Sequence, residues 1–224
     1  MNRTTIVILI GLILGAAFGA AVYVSPGSEP ASTEVAKGSK LPEQVAQDLQ
    51  KTLVRFHSPV IGPVDAPVTI VEFFDPSCEA CRAFYPIVKE IMSRYPEQVR
   101  LVLRYALFHR GSEEVARMLE AARRQNLYVP VLEAVLRVQP AWHDDPAVTS
   151  AWQAAEEAGL DIEQARQEMQ AENISSALQV DMQDIKNLGI RGTPTFFVNG
   201  RELTEFGGEP LLRLVEEEVQ SADQ

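Results

Sequence analysis

Cysteine is scarce: the 224 residues contain only Cys78 and Cys81, and both stand in one Cys-x-x-Cys. That scarcity excludes a disulfide framework and points to a dithiol that cycles, with no third thiol to trap it during exchange. Histidine is scarce too. His57, His109 and His143 are the only ones, and none forms a pair at ligand spacing, so a zinc site on the two thiolates is short of its other ligands. Basic charge is also short: 20 Lys+Arg against 31 Asp+Glu give a formal net charge of −11, and Ser112 to Lys186 alone holds 14 acids against 6 bases. Such a chain is a poor partner for nucleic acid. No repeat or low-complexity tract suggests an array or a disordered protein. At 46% apolar residues, the chain can bury one core, or one core with an inserted subdomain.

Charge is absent from Ile6–Val24, the stretch that follows Arg3. At about 1.5 Å rise per residue, a helix there is just long enough for a hydrocarbon core of ~30 Å. The positive flank predicts a cytoplasmic start with the rest exported. Residues 1–24 thus read as a transmembrane anchor or a signal segment. Ala17, Gly19 and Ala21 are small enough for signal-peptidase cleavage, but the apolar run continues to Val24, which favours an uncleaved anchor. Residues 25–57 read as a linker and an amphipathic helix. Ser25–Lys40 is a flexible tether rich in Ser, Pro, Gly and Glu. Leu41, Val45, Leu49, Leu53 and Phe56 form a helical stripe, suited to packing on a domain's edge or to dimerisation.

The remaining chain is organised around Val68–Phe84. A β-branched and aromatic run reads as a buried strand that breaks at Asp75-Pro76, with Ser77 as helix cap and a helix starting at or beside Cys78. At that tip the helix dipole and unpaired N–H groups lower a thiol's pKa and hold it as thiolate. Cys81 lies one turn on, close enough to close a disulfide with Cys78 and reopen it by exchange. Cys81, Phe84, Val88, Ile91 and Tyr95 share the helix's apolar face. Val99–Tyr105 is a second strand beside the first. From Ser112 to about Leu188 the pattern is helical, broken at Asn126–Pro130, Gln139–Pro146 and Gly159–Asp161. Strand Thr195–Val198, a turn at Asn199-Gly200, a returning strand over Leu203–Phe206 and a helix over Glu209–Val219 close the chain. Trp142 and Trp152 are expected in the core, His109 at the surface or in packing, and the acids of the helical stretch on a solvated face.

These residues carry a family likeness. The strand and Cys-x-x-Cys helix, Glu72 six residues before Cys78, Pro86 eight after it, and Gly192-Thr193-Pro194-Thr195-Phe196-Phe197-Val198-Asn199-Gly200 together resemble the thioredoxin superfamily, and more closely its DsbA-like branch, over roughly Pro59 to Val219. The resemblance implies an α/β thioredoxin fold at residues 58–220 with an inserted all-helical subdomain at about 112–188. It implies a thiol–disulfide oxidoreductase of the bacterial cell envelope, facing the periplasm, whose redox group is the Cys78–Cys81 disulfide, with no further cofactor and no metal. Cys78 would form a mixed disulfide with a client and Cys81 would resolve it. Glu72, unless held in a buried salt bridge, would move the proton of Cys81 through water. A cis Pro194 would lay the Thr193 backbone where a client chain pairs with it. The implied partners are exported protein thiols and disulfides, together with a membrane redox partner, either a quinone-linked oxidase or a membrane reductase.

Between the cysteines stand Glu79 and Ala80, where the strong oxidases of the branch have Pro-His and thioredoxin has Gly-Pro. A histidine there stabilises the thiolate; a glutamate beside Cys78 does the reverse, which predicts a less oxidising pair. The stretch before the domain is too short for the dimerisation domain of the periplasmic isomerases, which favours a monomer. The rival from another class is a copper-handling module of the envelope that uses the two thiolates as soft ligands.

Overall fold

The computed structural model describes residues 43–143 and 145–223, with side chains from Asp48 onward. The expected membrane or signal helix and the tether lie outside the described residues, and no helix among the described residues is long and apolar enough to cross a membrane. The chain runs α1 (Glu43–Leu53), β1 (Val60–Ile61), β2 (Val68–Phe74), α2 (Glu79–Arg94) and β3 (Val99–Tyr105). The helices α3 (Ser112–Arg124), α4 (Tyr128–Arg137), α5 (Thr149–Glu157), α6 (Ile162–Glu168) and α7 (Glu172–Leu188) follow, and β4 (Thr195–Val198), β5 (Arg201–Glu202) and α8 (Gly208–Ala222) complete it.

Among the described residues, five strands form one mixed sheet in the order β1-β3-β2-β4-β5, with β2 and β3 parallel through α2 and the other pairs antiparallel. This is the thioredoxin architecture with helices α3 to α7 inserted between β3 and β4. Every residue of β2 is buried, as expected of a central strand covered on both faces. Alternation divides its side chains. Val68, Ile70 and Phe74 join a core with α2, α8 and the inserted helices. Val71 and Phe73 join a smaller core on the opposite face with Leu53 and Ile185. Trp142 is wholly buried and Trp152 nearly so, both as the sequence predicts.

Several boundaries differ from the sequence reading. The short β1 is an addition: Val60 and Ile61 pair with β3 from within the proline-punctuated approach to β2. The strand expected over Leu203–Phe206 is instead Arg201–Glu202. Asn199 and Gly200 both have positive φ (47° and 85°), the requirement of a two-residue turn that lets pairing restart at once. Pro130 does not delay α4, which begins at Tyr128, because proline is tolerated in a first turn whose N–H groups have no intrahelical partner. A break absent from the sequence reading separates α6 from α7. Finally, α1 ends at Leu53 and Phe56 is fully exposed, so the expected stripe stops one turn early.

The acids of the insertion are not all a solvated face. Asp181 and Asp184 of α7 are buried. They receive the buried Arg104 guanidinium, whose Nε lies 2.9 Å from Asp181 Oδ1 and whose Nη2 lies 2.6 Å from Asp184 Oδ2. Arg55 adds a second guanidinium on Asp184 at 2.7 and 2.8 Å, and His57 Nε2 lies 2.7 Å from Asp181.

Candidate active site

The site is built at the C-terminal end of β2. Asp75, the first residue past the strand, is completely buried. Its carboxylate accepts from Ser77 N (2.8 Å), Phe108 N (2.9 Å) and His109 N (3.1 Å), from the Ser112 hydroxyl, and it lies 2.7 Å from His109 Nδ1. One side chain therefore ties the Cys-x-x-Cys loop to the loop after β3. In the sequence, Asp75-Pro76 reads only as a chain break and Ser77 as the helix cap. The cap is Cys78 itself, with extended backbone and no side-chain cap bond, while the Ser77 hydroxyl donates to Arg110 O at 2.9 Å. The Ser77 hydroxyl is thereby committed to the loop after β3 and not to the N–H groups of α2.

Cys78 thus stands at the N-terminus of α2. Its pKa is lowered from 9.0 to about 5, chiefly by a hydrogen bond from the Cys81 thiol, with burial opposing and Thr193 and the first backbone N–H groups of the helix assisting. Burial pushes the Cys81 thiol well above the ordinary range. Its sulfur is inaccessible, with Asp75 N 3.4 Å away. Two thiols one turn apart are therefore made unlike: one an anion at neutral pH, the other a protonated group in the interior.

Glu72 lies on the α2 face of β2 and is 1% exposed. Neither carboxyl oxygen has a hydrogen-bond partner among the described residues, so no salt bridge to them holds it. Burial first, and the Cys78 charge second, raise its pKa to about 8. A buried carboxyl in that state holds a proton at neutral pH.

The Thr193–Pro194 peptide is cis. Cys78 Sγ lies 3.3 Å from Thr193 O, so the structure joins these two residues across 115 positions of sequence. Glu79 is exposed on the first turn of α2, with His143 Nε2 3.9 Å from its carboxylate; Ala80 is partly buried against the main core. His109, read from sequence as a surface or packing residue, is half-exposed and packs on Asp75, and it also lines the cleft at Cys78. It shares with Cys78, Phe108, Ile190, Arg191, Gly192 and Thr193 an open cleft of about 600 Å³. Gln139, which the sequence reading placed only within a break between helices, is buried in the insertion. Its amide donates to Pro76 O (2.7 Å) and Cys78 O (3.0 Å) and accepts from Arg82 Nε (3.0 Å), fixing the loop that carries Cys78. Neither residue has a local sequence signal, because both act across the fold.

The thioredoxin family profile matches residues 56–217. A thioredoxin-like oxidoreductase from Silicibacter pomeroyi DSS-3 is 29% identical, with a TM-score of 0.68 over 77% of this chain and 98% of that one. BdbD from Bacillus subtilis, in its oxidised form, is 24% identical with a TM-score of 0.65, over 73% of this chain and 94% of that one. Among curated sequences, the Na(+)/H(+) antiporter NhaA of Herminiimonas arsenicoxydans is 30% identical over 142 residues, which are 63% of this chain. This chain spans only 22% of that relative's length, so its name describes a whole of which one segment is similar here. Matched over most of its length by the profile, and folded as the Silicibacter and Bacillus proteins are, the chain belongs to the thioredoxin family, with a helical insertion between β3 and β4.

Proposed function

We propose that the protein is a thiol–disulfide oxidoreductase that exchanges disulfides with exported protein thiols through Cys78 and Cys81. The observation that carries this reading is the asymmetry of the pair: Cys78, at the helix tip with a pKa of about 5, borders the open cleft, and Cys81 is buried and protonated beneath it.

In the oxidising direction a client thiolate attacks Cys78 Sγ of the disulfide. The Cys78–Cys81 bond breaks, and its electron pair leaves on Cys81, which takes the proton that Glu72 supplies. A second client thiolate then attacks the client sulfur of the mixed disulfide, and Cys78 leaves as thiolate. Two electrons have passed from client to protein. The reducing direction reverses each step: Glu72 first releases its own proton through water, and its carboxylate then takes the proton of Cys81 as that sulfur attacks. Thr193 O, held beside Cys78 by the cis bond to Pro194, offers an acceptor for the backbone N–H of an extended client. The disulfide is the only redox group that this chemistry requires.

The working location is the outer face of a bacterial inner membrane, with the chain anchored through Ile6–Val24 as a monomer. The charge-free stretch after Arg3 supports it. The membrane partner sets the direction. A quinone-linked oxidase makes the protein a disulfide donor, and a membrane reductase makes it a reductase or isomerase. The redox state of Cys78 and Cys81 in intact cells distinguishes the two.

The decisive test is trapping. Cys81→Ala should accumulate mixed disulfides through Cys78, seen as thiol-labile adducts in non-reducing gels, whereas Cys78→Ala should not. Equal trapping by both variants would refute the assignment of Cys78 as the attacking sulfur, and trapping by neither would remove the exchange reading.

A further inference from the structure

The inner positions Glu79-Ala80 supply no cation to the thiolate, yet an imidazole reaches the same cleft from another element. Pairing between β2 and β3 continues to Ala106, whose N–H donates to Phe74 O at 2.8 Å. The chain then turns so that two successive N–H groups, of Phe108 and His109, both donate to Asp75 Oδ2. The same oxygen lies 2.7 Å from His109 Nδ1. The ring is thereby fixed through one nitrogen to a wholly buried carboxylate, while about half of its side chain stays exposed beside Cys78. A buried carboxylate on Nδ1 holds a histidine in one orientation and favours its charged form.

We propose that His109, oriented by Asp75, is the redox-tuning residue of this site: its imidazolium stabilises the Cys78 thiolate from across the cleft. The proposal rests on the exchange reading and adds to it the source of the site's poise. When the bond between Cys78 and a client sulfur breaks, the electron pair goes to Cys78, which leaves as an anion beside a cation, and no proton has to move. When the protein is oxidised that anion is gone, so the cation favours the reduced state and makes the disulfide more oxidising.

Other charged groups also face the ring. On the cysteine side Glu79 is exposed on α2, and Arg191 is exposed in the loop before Thr193. On the far side His109 borders a second cleft with Glu113, Glu114 and Arg117 of α3. There Arg117 is paired with Glu113 at 2.8 Å, and Glu114 accepts from Trp152 Nε1 at 3.2 Å. Burial alone lowers the His109 pKa, but Asp75, with smaller contributions from the Cys78 thiolate and Glu79, leaves it raised above 6.5.

The test compares the full-length protein with His109→Gln and His109→Ala. Glutamine keeps an N–H group able to reach Asp75 and removes the charge; alanine removes both. Thiolate absorbance of the reduced proteins is titrated against pH, and each is equilibrated with glutathione. Neither readout needs a client, so each is independent of client trapping by Cys81→Ala. Both variants should raise the Cys78 midpoint by about one pH unit, a tenfold change in its ionisation constant. Both should shift the glutathione equilibrium toward the disulfide by a similar factor, and the difference from the unaltered protein should vanish at alkaline pH where His109 is neutral. A wild-type midpoint in His109→Gln, whether or not His109→Ala shifts, overturns the proposal, since the charge would then have no effect on the sulfur. The predicted shifts in both variants, with no client trapped by Cys81→Ala, would instead overturn the exchange reading and leave the coupling of His109 to Cys78 intact.

Discussion

Glu72 makes the sharpest prediction at the scale of a residue. Its pKa of about 8 lies above the 4.5 of a free glutamate, so the folded protein holds a proton that the unfolded chain has released. That contribution to stability is full below 4.5 and is lost as pH rises to about 8. Glu72→Gln should remove this fall, which is on the order of a few kcal/mol, since each tenfold change in proton affinity is worth about 1.4 kcal/mol. Urea unfolding of the disulfide form across this window measures it without interference from Cys78 titration, since burial, the larger cause, survives oxidation. The same variant should slow attack by Cys81, which loses its proton acceptor. Cys78 behaves oppositely: in the reduced protein its lowered pKa stabilises the fold above 9.0, and that gain is lost as pH falls toward 5. Glu79 is a weaker lever, being exposed and facing His143. Glu79→Gln should make the pair more oxidising by some tens of millivolts at most, and Ala80→His by more, both read by glutathione equilibration.

At the scale of an element, the loop between β3 and α3 carries His109 and depends on its last residue. Gly111 has φ 75°, and a Cβ there would lie 2.5 Å from Val148 Cγ1. Val148 is itself in the left-handed region, at φ 44°, so it has little freedom to retreat. Gly111→Ala should therefore destabilise the fold by about 2–4 kcal/mol through strain and overpacking. Because the displacement begins two residues from His109, it should also raise the Cys78 midpoint, which an unfolding curve alone would not reveal. The active-site helix illustrates what local sequence can and cannot predict. Its apolar face is legible from spacing, and Cys81, Phe84, Val88 and Ile91 are all buried. Its cap is not, because the Ser77 hydroxyl is drawn to Arg110 O, 33 residues on, and Asp75 beside it collects donors 33, 34 and 37 residues away.

Across the whole molecule, a buried ionic cluster fastens α1 and α7 to the back of the sheet. Arg104 has no exposed surface, and besides its two aspartates it donates to the Leu53 carbonyl at the end of α1 at 2.9 Å. Asp181 also accepts from Tyr105 N at 2.8 Å. Asp181→Asn would leave a guanidinium short of its counter-charge and aim an amide at donors, with an expected loss of about 3–5 kcal/mol by chemical denaturation. Burial tends to raise the Asp184 pKa, but hydrogen bonds from Arg55 and Arg104 outweigh it and leave it lowered. Its stabilising effect is therefore present above 3.8 and lost as pH falls below that value. Acid should loosen this face of the sheet, on which Leu53 is buried, while Glu72, on the other face, is stabilising at low pH. The same contacts make α1 a working part of the domain and not an edge ornament, so a chain beginning at Ser58 should unfold at lower denaturant than one that retains α1.

Features whose physics is local were legible from residue order alone. The β-branched and aromatic run over Val68–Phe74 reads as a buried strand even with Thr69 and Glu72 in it, two cysteines three apart at a helix tip lie within one turn of each other, and Asn199-Gly200 reads as a turn. From these the parallel β2 and β3, the dithiol and the return of the chain at Thr195–Val198 could all be read. Features that depend on approach between distant segments came from the fold. It set Thr193 against Cys78, left Glu72 without a partner among the described residues, buried Asp181 and Asp184 in an acidic stretch that looked solvated, and brought His109 and Gln139 to the cysteine loop. Charges and hydrogen-bonding groups carry no periodicity that announces their partners. Whether an aspartate is a surface charge, a cap or the hub of an active site is fixed only when the fold chooses what donates to it and excludes the water that would otherwise do so.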